Sequence, residues 1–303
     1  MNYLKLLILS LLFIGCTEKN TNKVTVNSKQ VSQQLPSVPQ SMELFGETIH
    51  LTDEDIRERL DHELTVNAFF QSSTTLIIKR ANRYFPILEQ LLKEENLHDD
   101  FKYLCVIESN LTQAKSPAGA QGFWQFMPET AKEYKLLVTN EVDERLDIEK
   151  STRAACAYLR KAYAELDNWI LAAAAYNRGL GGVQSDLKSQ YVSTYFDTEM
   201  NNETSRYVFR IMALKLILEN PKSYGFNLQN KDLYPTRKIR KVNVHNPILD
   251  LALWAKNNQV TLKIVRKLNP WLLKNTLTTP PFNYIITLPH SSYNLKQYSD
   301  YRK

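Results

Sequence analysis

From about residue 50 to residue 225 the apolar side chains of this chain recur three and four positions apart, and no segment in that stretch alternates as a strand would. That pattern confines most of the chain to packed helices and leaves room for only a small sheet. Tyr84, Ile87, Leu88, Leu91 and Leu92 share one helix face, as do Leu104, Ile107 and Leu111. Ser151 precedes a run carrying Ala155, Tyr158, Leu159, Ala162 and Leu166. Residues 169–176 form an alanine-rich helix that Gly179 is placed to stop. Tyr207, Val208, Ile211, Leu214 and Leu218 line a last long helix, closed soon after by Pro221.

Beyond about residue 236 the pattern changes. Val242 and Val244 alternate with polar residues, helical runs follow at about 247–257 and 261–268, Asn269-Pro270 breaks the chain, and Ile285, Ile286 and Leu288 read as a second strand. This β-α-α-β order predicts a small module over 236–303.

The N-terminus has a different character. Lys5 precedes an apolar run from Leu6 to Ile14, too short to span a bilayer as a helix, which takes about 20 residues. It has the form of a secretory signal. Its end, Phe13-Ile14-Gly15-Cys16, resembles a bacterial lipobox, which would make Cys16 a lipidated N-terminus; a plain signal peptide cut near Gly15 is the alternative. Residues 17–45 are rich in Asn, Thr, Ser, Gln, Lys and Pro and read as a flexible tether, with too little apolar surface to offset the entropy of folding.

Composition narrows the classes further. The net charge of +6 is spread along the chain rather than gathered in a patch, so it argues against a nucleic-acid partner, while it fits an anionic polymer and equally an ordinary soluble protein. Three cysteines are too few for a disulfide scaffold, and Cys105 and Cys156, in apolar helical runs, read as small buried side chains, with a mutual disulfide in an oxidising compartment as the alternative. The five histidines have no metal-ligand spacing.

Three segments carry chemistry. Glu108 shares the stripe of Leu104, Ile107 and Leu111. A carboxyl held there loses water, which favours its protonated form and makes it a proton donor near neutral pH; a Glu at the stripe's edge could equally reach solvent. The run from Ser116 to Pro128 combines two glycines with Phe123, Trp124 and Phe126 and with Gln121 and Gln125. Aromatic faces and amides together suit sugar rings, although a turn followed by a core helix would read the same way. The third segment is Ala174-Ala175-Tyr176-Asn177-Arg178-Gly179. It and the preceding run, with Gly181 and Gly182, hold five of the eight glycines, so backbone freedom is concentrated in two loops.

Glu108-Ser109, the Gly119–Pro128 run, Ala175-Tyr176-Asn177 and Glu203-Thr204 stand in the order of the lytic transglycosylases and resemble their soluble-lytic-transglycosylase catalytic domain. Ser116 follows Glu108 by eight residues where that family's spacing is nine. The resemblance implies a mainly α, goose-lysozyme-like catalytic domain over 46–235 with a long cleft. It implies peptidoglycan glycan strands as substrate and Glu108 as single acid and base. Ser116, Gln125, Met127, Tyr176, Asn177 and Glu203 would bind substrate, with Tyr176 hydrogen-bonding near the catalytic carboxyl. Glu129, Glu133, Asp143 and Asp147 fall outside the family's motif and read as surface or salt-bridge groups. No metal or cofactor is implied. Residues 236–303 resemble a degenerate LysM module that assists binding, with a structural appendage as the alternative. The expected location is the cell envelope, lipid-anchored and facing the periplasm, on the outer membrane.

Overall fold

The computed structural model describes residues 35–290. Its first regular element falls where the sequence suggested tether. Strand β1 (Ser41–Leu44) pairs antiparallel with β2 (Glu47–His50), Ser41 opposite His50 and Leu44 opposite Glu47. The turn is Phe45-Gly46, both at positive φ (54° and 84°), the backbone that a two-residue hairpin turn requires. Met42, Leu44, Phe45 and Ile49 are buried, and the Phe45 ring stacks on Phe101 at 4.3 Å. The tether expected to reach residue 45 is therefore corrected at its C-terminal end. Four strand residues with alternate burial are enough to hold a hairpin, and average composition over 17–45 hides them. The signal run, Cys16 and the tether up to residue 34 lie outside the described residues.

Helices follow. Asp53 caps α1 (Glu54–Phe69) by accepting the Ile56 N–H, and α2 (Gln71–Glu94) buries Ile77, Ile78, Ala81, Leu88, Leu91 and Leu92 on one face. Helix α3 (Lys102–Ser109) is short and central, packed by α2 on one side and the later long helix on the other. Every residue from Lys102 to Ile107 is buried, as is Ser109, and Glu108 alone is half-buried. The helix stops sooner than the sequence stripe suggested, because Asn110 and Leu111 turn left-handed (φ 52° and 56°); Leu111 still packs in the core.

Helix α4 (Pro128–Glu133) begins on a proline, whose missing N–H costs nothing in a first turn. Helix α5 (Ile148–Leu166) starts at Asp147, four residues before Ser151, because the Asp147 carboxylate accepts the Glu149 and Lys150 N–H groups. Helix α6 (Trp169–Arg178) runs from its Asn168 cap to Gly179 (φ 80°), α7 (Leu180–Gln190) follows, and α8 (Asn202–Glu219) is capped by Asn201. Helix α8 packs on α1, α3 and α6, so it closes the core around α3. None of the described helices is long and apolar enough to cross a membrane.

The C-terminal segment forms β3 (Ile239–Val244), α9 (Leu251–Asn257), α10 (Leu262–Leu268) and β4 (Tyr284–Pro289), with β3 and β4 antiparallel, Ile239 opposite Pro289 and Val244 opposite Tyr284. Asn269, read as a chain breaker, is fully buried and works as a clamp. Its amide donates to the Val265 and Thr287 carbonyls and its carbonyl accepts the Thr287 N–H. The module's core of Val244, Leu251, Val265, Trp271, Ile286 and Leu288 also takes in Val142 and Leu146, from the link between α4 and α5. The module thus completes its burial on the helical region.

Candidate active site

Glu108 sits on the last turn of α3, the one position where that enclosed helix meets the surface. Burial dominates its ionisation and lifts the carboxyl from its usual 4.5 to about 7. A hydrogen bond from the Tyr207 hydroxyl to Oε1 (2.6 Å) and the charge of Arg210 oppose that rise, while the charge of Glu203 adds to it. The group is therefore balanced between its two protonation states near neutral pH, as a carboxyl must be to give and then take a proton.

Tyr207 holds the position that the resemblance suggested for Tyr176. The Tyr176 hydroxyl donates instead to the Trp124 carbonyl (2.8 Å), which ties α6 to the Ser116–Pro128 run. Tyr176 remains near the site, since burial pushes its phenol up and the Glu108 charge adds to that rise. The helical spacing assigns Tyr207 only to the core face. A signal was present, because Glu203, Tyr207 and Arg210 fall at i, i+4 and i+7, on one face of α8.

The loop that follows α3 in the chain is built from backbone bonds. Ser116 N–H donates to the Ala120 carbonyl, Gly122 N–H to Ala114 and Gln121 N–H to Phe126. The Ser116 hydroxyl accepts the Ala120 N–H (3.0 Å), and the Gln125 amide donates to the Ala114 and Gly122 carbonyls. Both predicted binding side chains therefore also shape the loop. Gly122 has φ +82°, and a Cβ there would lie 2.1 Å from the Arg145 carbonyl oxygen, so a side chain has no room. Trp124 is fully buried, its indole N–H on Thr152 Oγ1, so it supports the loop and offers no face to a sugar.

Asn177 joins the ends of α6 and α8, its amide donating to Glu203 Oε1 (3.2 Å) and its carbonyl accepting from Thr204 Oγ1 (2.8 Å). Exposed Met127, half-buried Tyr176 and Asn177 line one cavity of about 480 Å³ together with Tyr134 and Tyr158. Ser116, Gln125 and Glu108 are not among that cavity's walls.

Of the other carboxylates, Glu133 is exposed on the wall of that cavity, and the remaining three have structural partners. Glu129 pairs with Lys132 on the surface, and Asp143 is buried on Arg145. Asp147, expected as a surface or salt-bridge group, is instead the capping carboxylate of α5 described above. His98, Asp99 and Asp100 could bring three ligand atoms together, but Lys215 and the Phe45 N–H occupy Asp100 and Lys102 occupies Asp99. Cys105 and Cys156 are free buried thiols, both pushed up by burial, Cys156 to about 12.

Two family models match the chain: the transglycosylase SLT domain over residues 85–197 and the soluble lytic transglycosylase C-terminal LysM-like domain over 240–292. Membrane-bound lytic murein transglycosylase D of Escherichia coli is 28% identical over 237 residues, 76% of this chain and 51% of its own length. The chain thus spans about half the length of that relative. A protein named for tributyltin chloride resistance in an Alteromonas species is 33% identical over 149 residues, 48% of this chain and 72% of its own. The X-ray structure of an inactive mutant of lytic transglycosylase Slt from Pseudomonas aeruginosa is 23% identical with a TM-score of 0.36, covering 48% of this chain and 26% of that one. With a helical transglycosylase SLT domain followed by its LysM-like C-terminal partner, the chain belongs to the SLT lytic transglycosylase family.

Proposed function

We propose that this protein is a peptidoglycan lytic transglycosylase. In this reading it cleaves the β-1,4 bond between N-acetylmuramic acid and N-acetylglucosamine and leaves 1,6-anhydromuramic acid ends. The observation that carries it is the Glu108 carboxyl, balanced at about 7 where the buried helix α3 meets the surface. Below that pH its protonated form donates to the glycosidic oxygen as the C1–O bond breaks. The carboxylate left behind then takes the proton of the muramic C6 hydroxyl, whose oxygen closes on C1. Glu108 ends as it began, and no water is consumed. Ordinary glycosidases divide these tasks between two carboxylates. Here Glu203 is held by Asn177, and its charge acts on Glu108 by keeping that carboxyl protonated. Ser116, Gln125, Met127, Tyr176 and Asn177 would contact the glycan.

In the same reading Cys16 carries a lipid anchor and the following residues tether the enzyme. It would then work in the periplasmic cell envelope, on the outer membrane, with the LysM-like module contributing glycan contact. The test is digestion of purified murein with mass spectrometry of the products. Anhydro ends are expected, whereas a hydrolase would give reducing ends heavier by one water. Glu108→Gln should lose about 10²–10⁴ in rate or more, because the amide cannot donate the proton. Reducing ends from the wild type, or full activity in folded Glu108→Gln, would overturn the reading.

A further inference from the structure

The segment 139–146 faces two ways. On one side it is built into the C-terminal module. Glu141, buried, receives the hydroxyls of Thr276, Thr278 and Thr279 and the Thr278 N–H (2.8 Å) on its carboxylate. The Leu273 N–H donates to the Glu141 carbonyl and the Asp143 N–H to the Trp271 carbonyl, while Val142 enters the module's core. On the other side is Arg145, whose side chain is 4% exposed. Asp143 grips its guanidinium through Nε (2.9 Å) and Nη2 (2.7 Å). The remaining Nη1 donates to the Gly119 carbonyl (2.9 Å) and the Phe126 carbonyl (3.1 Å). Those two carbonyls bracket the loop that carries Gln125, and Gly122 lies against the Arg145 backbone.

Charge-assisted hydrogen bonds therefore tie the module's threonines to Glu141 on one side and tie Arg145 to Asp143 and the loop on the other, and the short backbone from Glu141 to Arg145 joins the two sets. Such bonds hold geometry best when dry and paired, and removing one partner leaves the other buried and unsatisfied. The guanidinium fork matters as well, since it grips a carboxylate with one edge and two carbonyls with the other, which an ammonium group cannot do.

We propose that Arg145 is a positioning residue for the Ser116–Phe126 loop, and that the C-terminal module works through Glu141 to hold it there, so that the module shapes the substrate site as well as adding surface to it. The idea rests on the proposed function only for what the loop binds. The coupling itself can be read without any turnover.

The test is amide hydrogen exchange on the full chain. The N–H groups of Ser116, Gly119, Ala120, Gln121 and Gly122 are all hydrogen-bonded inside the loop and report its closure. Arg145→Lys and Glu141→Gln should each speed their exchange by roughly 2- to 30-fold. The amides of α1 and α8 should keep wild-type rates, whereas global destabilisation would speed every region together. Lys241→Met, which removes the exposed Lys241–Glu149 pair between the module and α5, should leave the loop unchanged. In active enzyme, Glu141→Gln should raise KM for short glycan fragments with little loss of kcat, a split that a smaller folded fraction does not produce. Loop amides that keep wild-type rates in Arg145→Lys overturn the positioning role. Acceleration in Arg145→Lys with none in Glu141→Gln overturns the link to the module. Acceleration by Lys241→Met equal to that by Glu141→Gln overturns the route through Glu141. An inactive wild type would sink the proposed function while leaving the exchange result to decide this one.

Discussion

Tyr207→Phe removes one oxygen atom, and its consequence for Glu108 can be worked through. The phenol is 2% exposed, so no bulk water stands ready to replace its 2.6 Å bond to Oε1. Burial has already raised the Glu108 carboxyl to about 7, and the Tyr207 bond is the larger of the two influences holding it down. A hydrogen bond to an ionised group is worth about 1.5–3 kcal/mol. At 1.36 kcal/mol per pH unit its loss should move the carboxyl up by about one to two units. Glu108 should then titrate near pH 8 to 9 in Tyr207→Phe. The protonated acid persists to higher pH, so the alkaline limb of kcat/KM should move the same way. The maximal rate should fall about tenfold, because the carboxylate formed as the proton leaves has lost its donor. Two assays check this: ¹³C-carboxyl titration of Glu108 in both proteins, and the pH–rate profile on soluble glycan fragments. A Glu108 titration in Tyr207→Phe at or below the wild-type value would refute the reasoning.

Three further outcomes follow from the same structure. Because its folded-state value of about 7 lies above the ordinary 4.5, Glu108 withdraws stability as pH rises from about 4.5 to about 7. Glu108→Gln should therefore resist urea better than wild type at pH 8, by about 1–3 kcal/mol, and show no such gain at pH 4; an equal gap at both pH values would count against a buried carboxyl. Gly122→Ala should lower the melting temperature more than twice as far as Gly119→Ala, since both need positive φ but only Gly122 meets backbone, at 2.1 Å; calorimetry giving equal losses would reject that contact. Replacing Cys16 by Ser should release the protein from the membrane fraction, and unchanged membrane retention would mean that lipidation at Cys16 is not the anchor.

Much of the helical framework was legible because amphipathic spacing is a local property. The helices around Leu88–Leu92, Tyr158–Leu166 and Tyr207–Leu218 could be read from period alone, and Gly179 marked a stop because its φ of 80° suits few other residues. The β-α-α-β order after residue 236 was legible for the same reason. Local reading failed where one short-range pattern had two meanings. Residues 41–45 looked like polar tether, yet their alternate burial depends on Phe101 and Asp100, more than fifty positions away. Ser151 looked like a helix start until Asp147 reached the free N–H groups first.

The sequence alone determined that Glu108 stands on an apolar helix among glycine-rich loops, because the residue types and their spacing suffice for that. Only the tertiary structure decided which hydroxyl meets its carboxyl. Tyr176 and Tyr207 are both tyrosines on helix faces, and the choice between them depends on how α6 and α8 pack around α3, which assigns Tyr176 to Trp124 and Tyr207 to Glu108. The role of Arg145 was hidden for the same reason. Its four polar partners lie at Asp143, Gly119 and Phe126, and two of those are backbone carbonyls, which have no identity in a sequence. A carboxyl's chemistry is set by the water it loses and the donors it gains, and both are properties of packing between elements far apart in the chain.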